Sequence, residues 1–135
     1  MKRLALVVSL LSLWGAPVSA QKFPTKVITM IVPFTAGGPT DTVARLVAAP
    51  MSKVLKQQVI VENVSGAGGT IAGARVAKAD PDGYTILIHH IGMSTAPTLY
   101  RKLRYKPLED FGPIGLINEV PMTLVARRNF PPNNL

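Results

Sequence analysis

VPFTAGGPTDTVAR, Val32 to Arg45, decides how the rest of the chain is read. An apolar run ends in a Gly-Gly pair, and a helix-starting Thr-Asp follows at once. A loop of this kind can turn several backbone N–H groups toward one anion near a helix N-terminus. Phosphate is the first anion to test, and the spacing speaks against it. Gly37-Gly38 is followed by Pro-Thr-Asp, where a P-loop has Gly-Lys and then Ser or Thr. Asp41 would also repel a phosphate.

The segments on either side alternate strand and helix signals. Val27 to Phe34 (VITMIVPF) is a short β-branched apolar run, which predicts a strand covered on both faces as in a parallel sheet. Thr40 or Asp41 is the expected cap of the next helix. There Val43, Leu46, Val47, Met51, Val54 and Leu55 recur at spacings of three and four, predicting one apolar stripe. Pro50 inside that pattern is expected to kink the helix or end its regular part early. Val59 to Val61 reads as a second strand, Ser65 to Gly69 as a glycine loop, and Thr70 to Ala79 as an alanine-rich helix. Asp80-Pro81-Asp82-Gly83 is a turn, and Tyr84 to His89 a third strand. Gly112 to Ala126 offers one more apolar strand, interrupted by Pro121. Strand, helix, strand, helix, strand with short connections predicts an α/β half-sheet whose ligands lie beyond the carboxyl ends of the strands. Both glycine loops and His90 to Thr95 fall at those ends.

The start of the chain belongs to a different problem. Lys2 and Arg3, the apolar run from Leu4 to Trp14, and Val18-Ser19-Ala20 form the three parts of a secretory signal peptide, with cleavage expected after Ala20. No later stretch has the roughly 20 apolar residues that a spanning helix needs. The chain contains no cysteine, which excludes disulfides, thiolate metal sites and a lipid anchor on a mature N-terminal Cys. Gln21 to Leu135 is the length of one modest domain, free in a bacterial periplasm. Of the formal net charge of +8, Lys2 and Arg3 carry two, leaving +6 on the mature chain. That field favours small anions. The densest basic run, Arg101 to Lys106, reads as a solvated loop, and an exported protein is not expected to meet nucleic acid.

Candidate chemistries separate on spacing. Gly66 and Gly68 occupy the first two positions of a dinucleotide fingerprint, but the third falls on Ile71. Gly92-Met93-Ser94-Thr95-Ala96 approaches a nucleophile elbow, yet both histidines precede the serine and none follows it. His89 and His90 are adjacent, so on a strand they would point to opposite faces and could not share a metal, one packed and the other facing the cleft. Asp80 with Asp82, and Glu109 with Asp110, are expected to form a turn and a solvated helix start. Asn63-Val64-Ser65 matches a glycosylation acceptor without meaning in a bacterial periplasm. No enzymatic activity, metal or cofactor is expected.

FPTKVITMIVPFTAGGPTDTVAR, VIVENVSGAGGTIAG, ADPDGYTILI and APTLYRKLRYKPLEDFGPIGLI, in this order, resemble the tripartite tricarboxylate transporter substrate-binding proteins, the Bug receptors. The resemblance runs from about Phe23 to the end of the chain. It implies a periplasmic binding protein-like fold of type II, two-lobed, closing on a small organic carboxylate and serving the membrane subunits of a tripartite transporter. Carried over by motif, the carboxylate loops are Phe34, Thr35, Ala36, Gly37, Gly38 and Ser65, Gly66, Ala67, Gly68, Gly69. Asp41 closes the Gly-Gly motif, and His90 to Thr95, with Ser94, forms a third rim. The family usually has glycine, a natural left-handed stop for the helix, where Lys56 stands, which leaves the end of this helix open. Members are more than twice this long. The expectation is therefore residues 1–20 as signal peptide, 21–118 as the first lobe, and 119–135 as a crossover strand beginning a truncated second lobe. A sensory or interaction module built on the same fold is the alternative.

Overall fold

The computed structural model of this chain describes residues 23–121, 123 and 125–128. The expected signal peptide, its cleavage point and residues 129–135 lie outside the described residues. β1 (Ile28–Val32) is the centre of a three-stranded sheet with β2 (Val59–Asn63) on one side and β3 (Thr85–Leu87) on the other. Both pairings are parallel, with Ile28 opposite Val59 and Thr29 opposite Thr85. Ile28, Met30, Ile31 and Val32 are all buried, as a central strand covered on both faces requires. β1 stops at Val32 because Pro33 has no N–H to give the ladder. β2 runs two residues past the expected end. β3 is shorter than expected, although Ile88 N–H still reaches Ile31 O at 3.1 Å.

α1 (Pro39–Leu55) covers one face of the sheet. Its N-cap is Gly38, and Pro39 takes the first turn, where a missing N–H costs nothing. Asp41 is therefore in the first turn and neither it nor Thr40 is the cap. Val43, Val47, Met51 and Leu55, with Ala44 and Ala48, pack on the sheet. Seating the two alanines turns the helix so that Leu46 lies on the far side and Val54 on the edge of the stripe. Both are exposed, at 70% and 79%, contrary to the expected pattern. Pro50 does not end the helix. It sits on the solvent face, where water can serve the Leu46 carbonyl that loses its usual donor. The helix stops at Lys56, which adopts the left-handed conformation (φ 54°, ψ 26°) without being glycine.

A single 3-10 turn, Ala67–Gly69, leads into α2 (Thr70–Val76), shorter than the expected Thr70 to Ala79. The N–H groups of Lys78 and Ala79 bond three residues back, to Arg75 O and Val76 O, so the end tightens out of α geometry. α3 (Gly92–Leu99) follows β3 and takes up residues expected as an open rim. The Asp80 to Gly83 turn forms, with Asp82 accepting Tyr84 N–H at 3.0 Å. Glu109 and Asp110 close a turn around Lys106 and start no helix. In the basic run Tyr105 is buried against Gly73, so the segment is anchored and not simply solvated. The described residues of Gly112 to Ala126 form no strand, and Ile114, Leu116, Val120 and Val125 are exposed. An apolar run becomes a strand only beside a partner, and none of the described residues supplies one. No helix among the described residues is long and apolar enough to cross a membrane.

Candidate functional site

The parallel strands deliver three connections to one edge of the sheet. The first, Phe34 to Gly38, is held from beneath by Asp41, which is 2% exposed. Its Oδ2 accepts Gly37 N–H at 2.8 Å and Arg45 Nε at 2.9 Å, and its Oδ1 accepts Asn63 Nδ2 at 3.0 Å. Asn63, at the end of β2, also donates to Phe34 O at 3.0 Å. The Arg45 guanidinium, then the Gly37 N–H and the Asn63 amide, hold the Asp41 carboxyl well below the usual carboxylate range. Asp41 therefore stays charged and braces the loop. Gly37 has φ 82°, open only to glycine at low cost, and its N–H is committed to Asp41. The N–H groups of Thr35 and Ala36 have no acceptor among the described residues and face a largely exposed surface.

Ser65 to Gly69 gives four successive residues a positive φ: Gly66, Ala67, Gly68 and Gly69 have φ of 131°, 45°, 62° and 93°. Ala67 carries a side chain there, at a cost of about 1–2 kcal/mol. Strain of this kind concentrates where a loop must present its backbone. The N–H groups of Ala67 and Gly68 find no acceptor among the described residues. Gly69 is buried, and a Cβ on it would lie 2.7 Å from His89 Nε2 and 3.0 Å from Pro33 Cβ. A Cβ on Gly68 would meet the Tyr100 hydroxyl.

The third connection joins the other two. β3 has ended before the histidines, so strand alternation does not apply, and both rings converge on Phe34. His90 stacks on Phe34 at 4.5 Å and 10°, while His89 meets it edge-on at 5.8 Å and 72°. Backbone N–H groups can only donate, so His90 Nδ1 accepts from Gly92 at 2.8 Å and its exposed ring offers Nε2 outward. His89 Nδ1 likewise accepts His90 N–H at 2.9 Å, and its Nε2 is buried without a partner. Burial pushes the His89 pKa down. One histidine is packed and the other open, as expected. Ser94 and Thr95 are exposed on the first turn of α3, with Ser94 Oγ donating to Ile91 O at 3.2 Å. α3 also packs against the Ala67–Gly69 turn.

On the α1 side of the first loop lies an open depression of about 570 Å³, lined by Ala36, Gly37, Asp41, Thr42, Arg45 and Leu46. Among the described residues no three His, Cys, Asp or Glu side chains gather as metal ligands. The loops fall where the sequence puts them, but three residues that shape them, Arg45, Asn63 and Tyr100, were not expected to do so. Asn63 had a signal, a polar residue ending an apolar strand at the edge where the loops gather. Tyr100 had none.

Residues 43–135 match the family described as tripartite tricarboxylate transporter family receptor. The chain belongs to that family. A UPF0065 protein from the TAR-I ttuE-ttuC' intergenic region of Agrobacterium vitis is 59% identical over 110 residues, which is 82% of this chain and 32% of that protein. The structure of the periplasmic binding protein BugD superposes with a TM-score of 0.67 at 54% identity, covering 69% of this chain and 31% of BugD. MatC from Rhodopseudomonas palustris, solved with bound malate, gives a TM-score of 0.68 at 50% identity over 70% of this chain and 33% of its own. The fold is that of the periplasmic binding proteins, with the parallel sheet as its frame. The chain spans about a third of the length of these three relatives.

Proposed function

We propose that this chain forms one wall of a periplasmic receptor site for a small organic carboxylate, captured for the membrane subunits of a tripartite tricarboxylate-type transporter. The carrying observation is a pair of loops at one sheet edge that hold backbone N–H groups open, over a buried carboxylate that locks the first of them. Phe34 to Gly38 and Ser65 to Gly69 supply the cradle. His90, Ser94 and Thr95 form its third side, and Asp41 acts from beneath. MatC, half identical over the matched region, was solved with a dicarboxylate, which supports this ligand class. The site binds without turnover: Ser94 Oγ is tied to a backbone carbonyl, with no base beside it among its hydrogen-bond partners. The mature protein begins at Gln21 in the periplasm. Residues 21–118 belong to the first lobe, and residues from 119 onward to the crossover into the second.

About three or four charge-assisted hydrogen bonds from one wall give roughly 5 to 12 kcal/mol gross. Several kcal/mol of lost ligand freedom and water competition offset this, leaving affinity near the millimolar range for these loops alone. Thermal unfolding of the protein with malate, succinate or acetate at about 1 to 50 mM, against nucleotide controls, tests the reading. The carboxylates should raise the melting temperature and nucleotides should not. Gly37→Val acts through φ alone, since nothing lies within 4 Å of a Cβ there, whereas Gly68→Val adds a collision with Tyr100. Both should harm binding more than Lys26→Ala, whose ammonium pairs with Asp82 at 3.1 Å. Loss of binding in Lys26→Ala with both valines tolerated would remove the cradle from these loops.

A further inference from the structure

Tyr100 stands where α3 ends. Its N–H still bonds Ala96 O at 2.9 Å, but its own backbone is extended (φ −112°, ψ 113°). A half-buried ring then reaches the Ser65 to Gly69 loop tip first, with the hydroxyl nearest the space where a Cβ of Gly68 would be. The ring carbons are farther off, Cζ at 3.4 Å and Cε2 at 3.7 Å from that position. A phenol hydroxyl standing where Gly68 has no side chain gains no hydrogen bond from that position. Among the described residues Tyr100 Oη has no hydrogen-bond partner, and it is not among the fully buried orphan atoms as Tyr105 Oη is. Phenylalanine would fill the same space without bringing a polar atom to it. The hydroxyl therefore sits at the loop tip, beside the open N–H groups of Ala67 and Gly68, with a proton to give.

We infer that Tyr100 is a direct ligand-binding residue, its hydroxyl donating to the same carboxylate that the Ala67 and Gly68 N–H groups hold. The assignment rests on the receptor reading above. It adds a neutral donor to a cradle otherwise made of backbone, and it gives Gly68 a second reason to lack a side chain. A neutral hydroxyl accepts as well as donates, so it also tolerates the hydroxyl of a hydroxy acid at this end of the site.

The test uses tyrosine labelled with ¹³C at Cζ, whose resonance reports hydrogen bonding at the hydroxyl, in NMR titrations with malate and with acetate up to about 50 mM, the range set by the affinity estimate above. The Tyr100 Cζ resonance should move on saturation while that of Tyr84, at the other end of the sheet, stays still. Tyr100→Phe should weaken both ligands about tenfold with an unchanged urea midpoint, the effect of one lost hydrogen bond to a charged group. Tyr105→Phe should leave affinity unchanged. Equal affinity in wild type and Tyr100→Phe, or a Cζ resonance that ignores saturating ligand, overturns the assignment and leaves the receptor reading standing. If wild type binds neither carboxylate, the receptor reading fails and this inference falls with it.

Discussion

Replacing Gly69 by alanine tests whether the second loop is seated as described. The residue lies at φ 93°, so a side chain there incurs left-handed strain of about 1–2 kcal/mol. The added methyl would also stand 2.7 Å from His89 Nε2 and 3.3 Å from His89 Cε1, with Pro33 Cβ at 3.0 Å behind it. Neither neighbour is a loose chain end: Pro33 is fully buried, and the His89 ring is fixed by the His90 N–H and by Phe34. Overpacking of this kind costs about 1–3 kcal/mol. The lower chain entropy of unfolded alanine returns about 0.4–1 kcal/mol. Gly69→Ala should therefore destabilise by about 1.5–4 kcal/mol. At a urea dependence of about 2 kcal/mol per molar, the midpoint falls by roughly 0.8–2 M, read by far-ultraviolet circular dichroism. His89→Ala in the same chain should recover the steric share, about 1–2 kcal/mol, and leave the backbone share untouched. A Gly69→Ala midpoint equal to wild type, or a cycle with no coupling between positions 69 and 89, would show that the loop does not rest on His89.

Lys56→Gly should raise stability by about 0.5–1 kcal/mol in the same urea assay, because it releases a left-handed lysine at the end of α1. Acid should act on Asp41 with a definite sign. Its folded pKa lies below the unfolded 3.8, so its contribution is complete above about pH 4 and is lost as pH falls further. Urea midpoints between about pH 5 and 3 should fall more steeply in wild type than in Asp41→Asn. His89, depressed by burial from 6.5, adds a loss that begins below that pH and should be missing in His89→Ala. Intact mass of the secreted product should begin at Gln21, as glutamine or pyroglutamate, and a membrane-bound product retaining Met1 would overturn the export reading.

The order of elements from β1 to β3, and the sheet edge where the loops gather, were legible because they depend on local pattern. A β-branched run, glycines after it and a first-turn acid leave few alternatives to a strand, loop and helix. What was not legible depends on partners distant in sequence. Leu46 and Val54 fit the helical period of α1, and only the two alanines seated on the sheet decide that they face out. Pro50 reads as a breaker until the far side of its helix is known to be solvent. Asp41 was legible as the acid that follows the Gly-Gly pair, but its part as a brace depends on Asn63, 22 residues away. Gly112 to Ala126 has strand composition, and composition cannot provide the neighbour that would pair with it. Tyr100 carries no local mark of its contact with Gly68.

The central position of β1 has a consequence in time. Both of its neighbours come later in the chain, β2 beginning at Val59 and β3 ending at Leu87. No hairpin can form early, because every pairing in the sheet is parallel and waits for a crossover. At about 5–20 residues per second, roughly 3 to 12 s pass between synthesis of Ile28 and completion of β3. For that interval ITMIV, four of whose five residues are buried in the folded sheet, has at most one of its two partners. A nascent chain built this way stays open while it is being made, its central strand waiting for both crossovers.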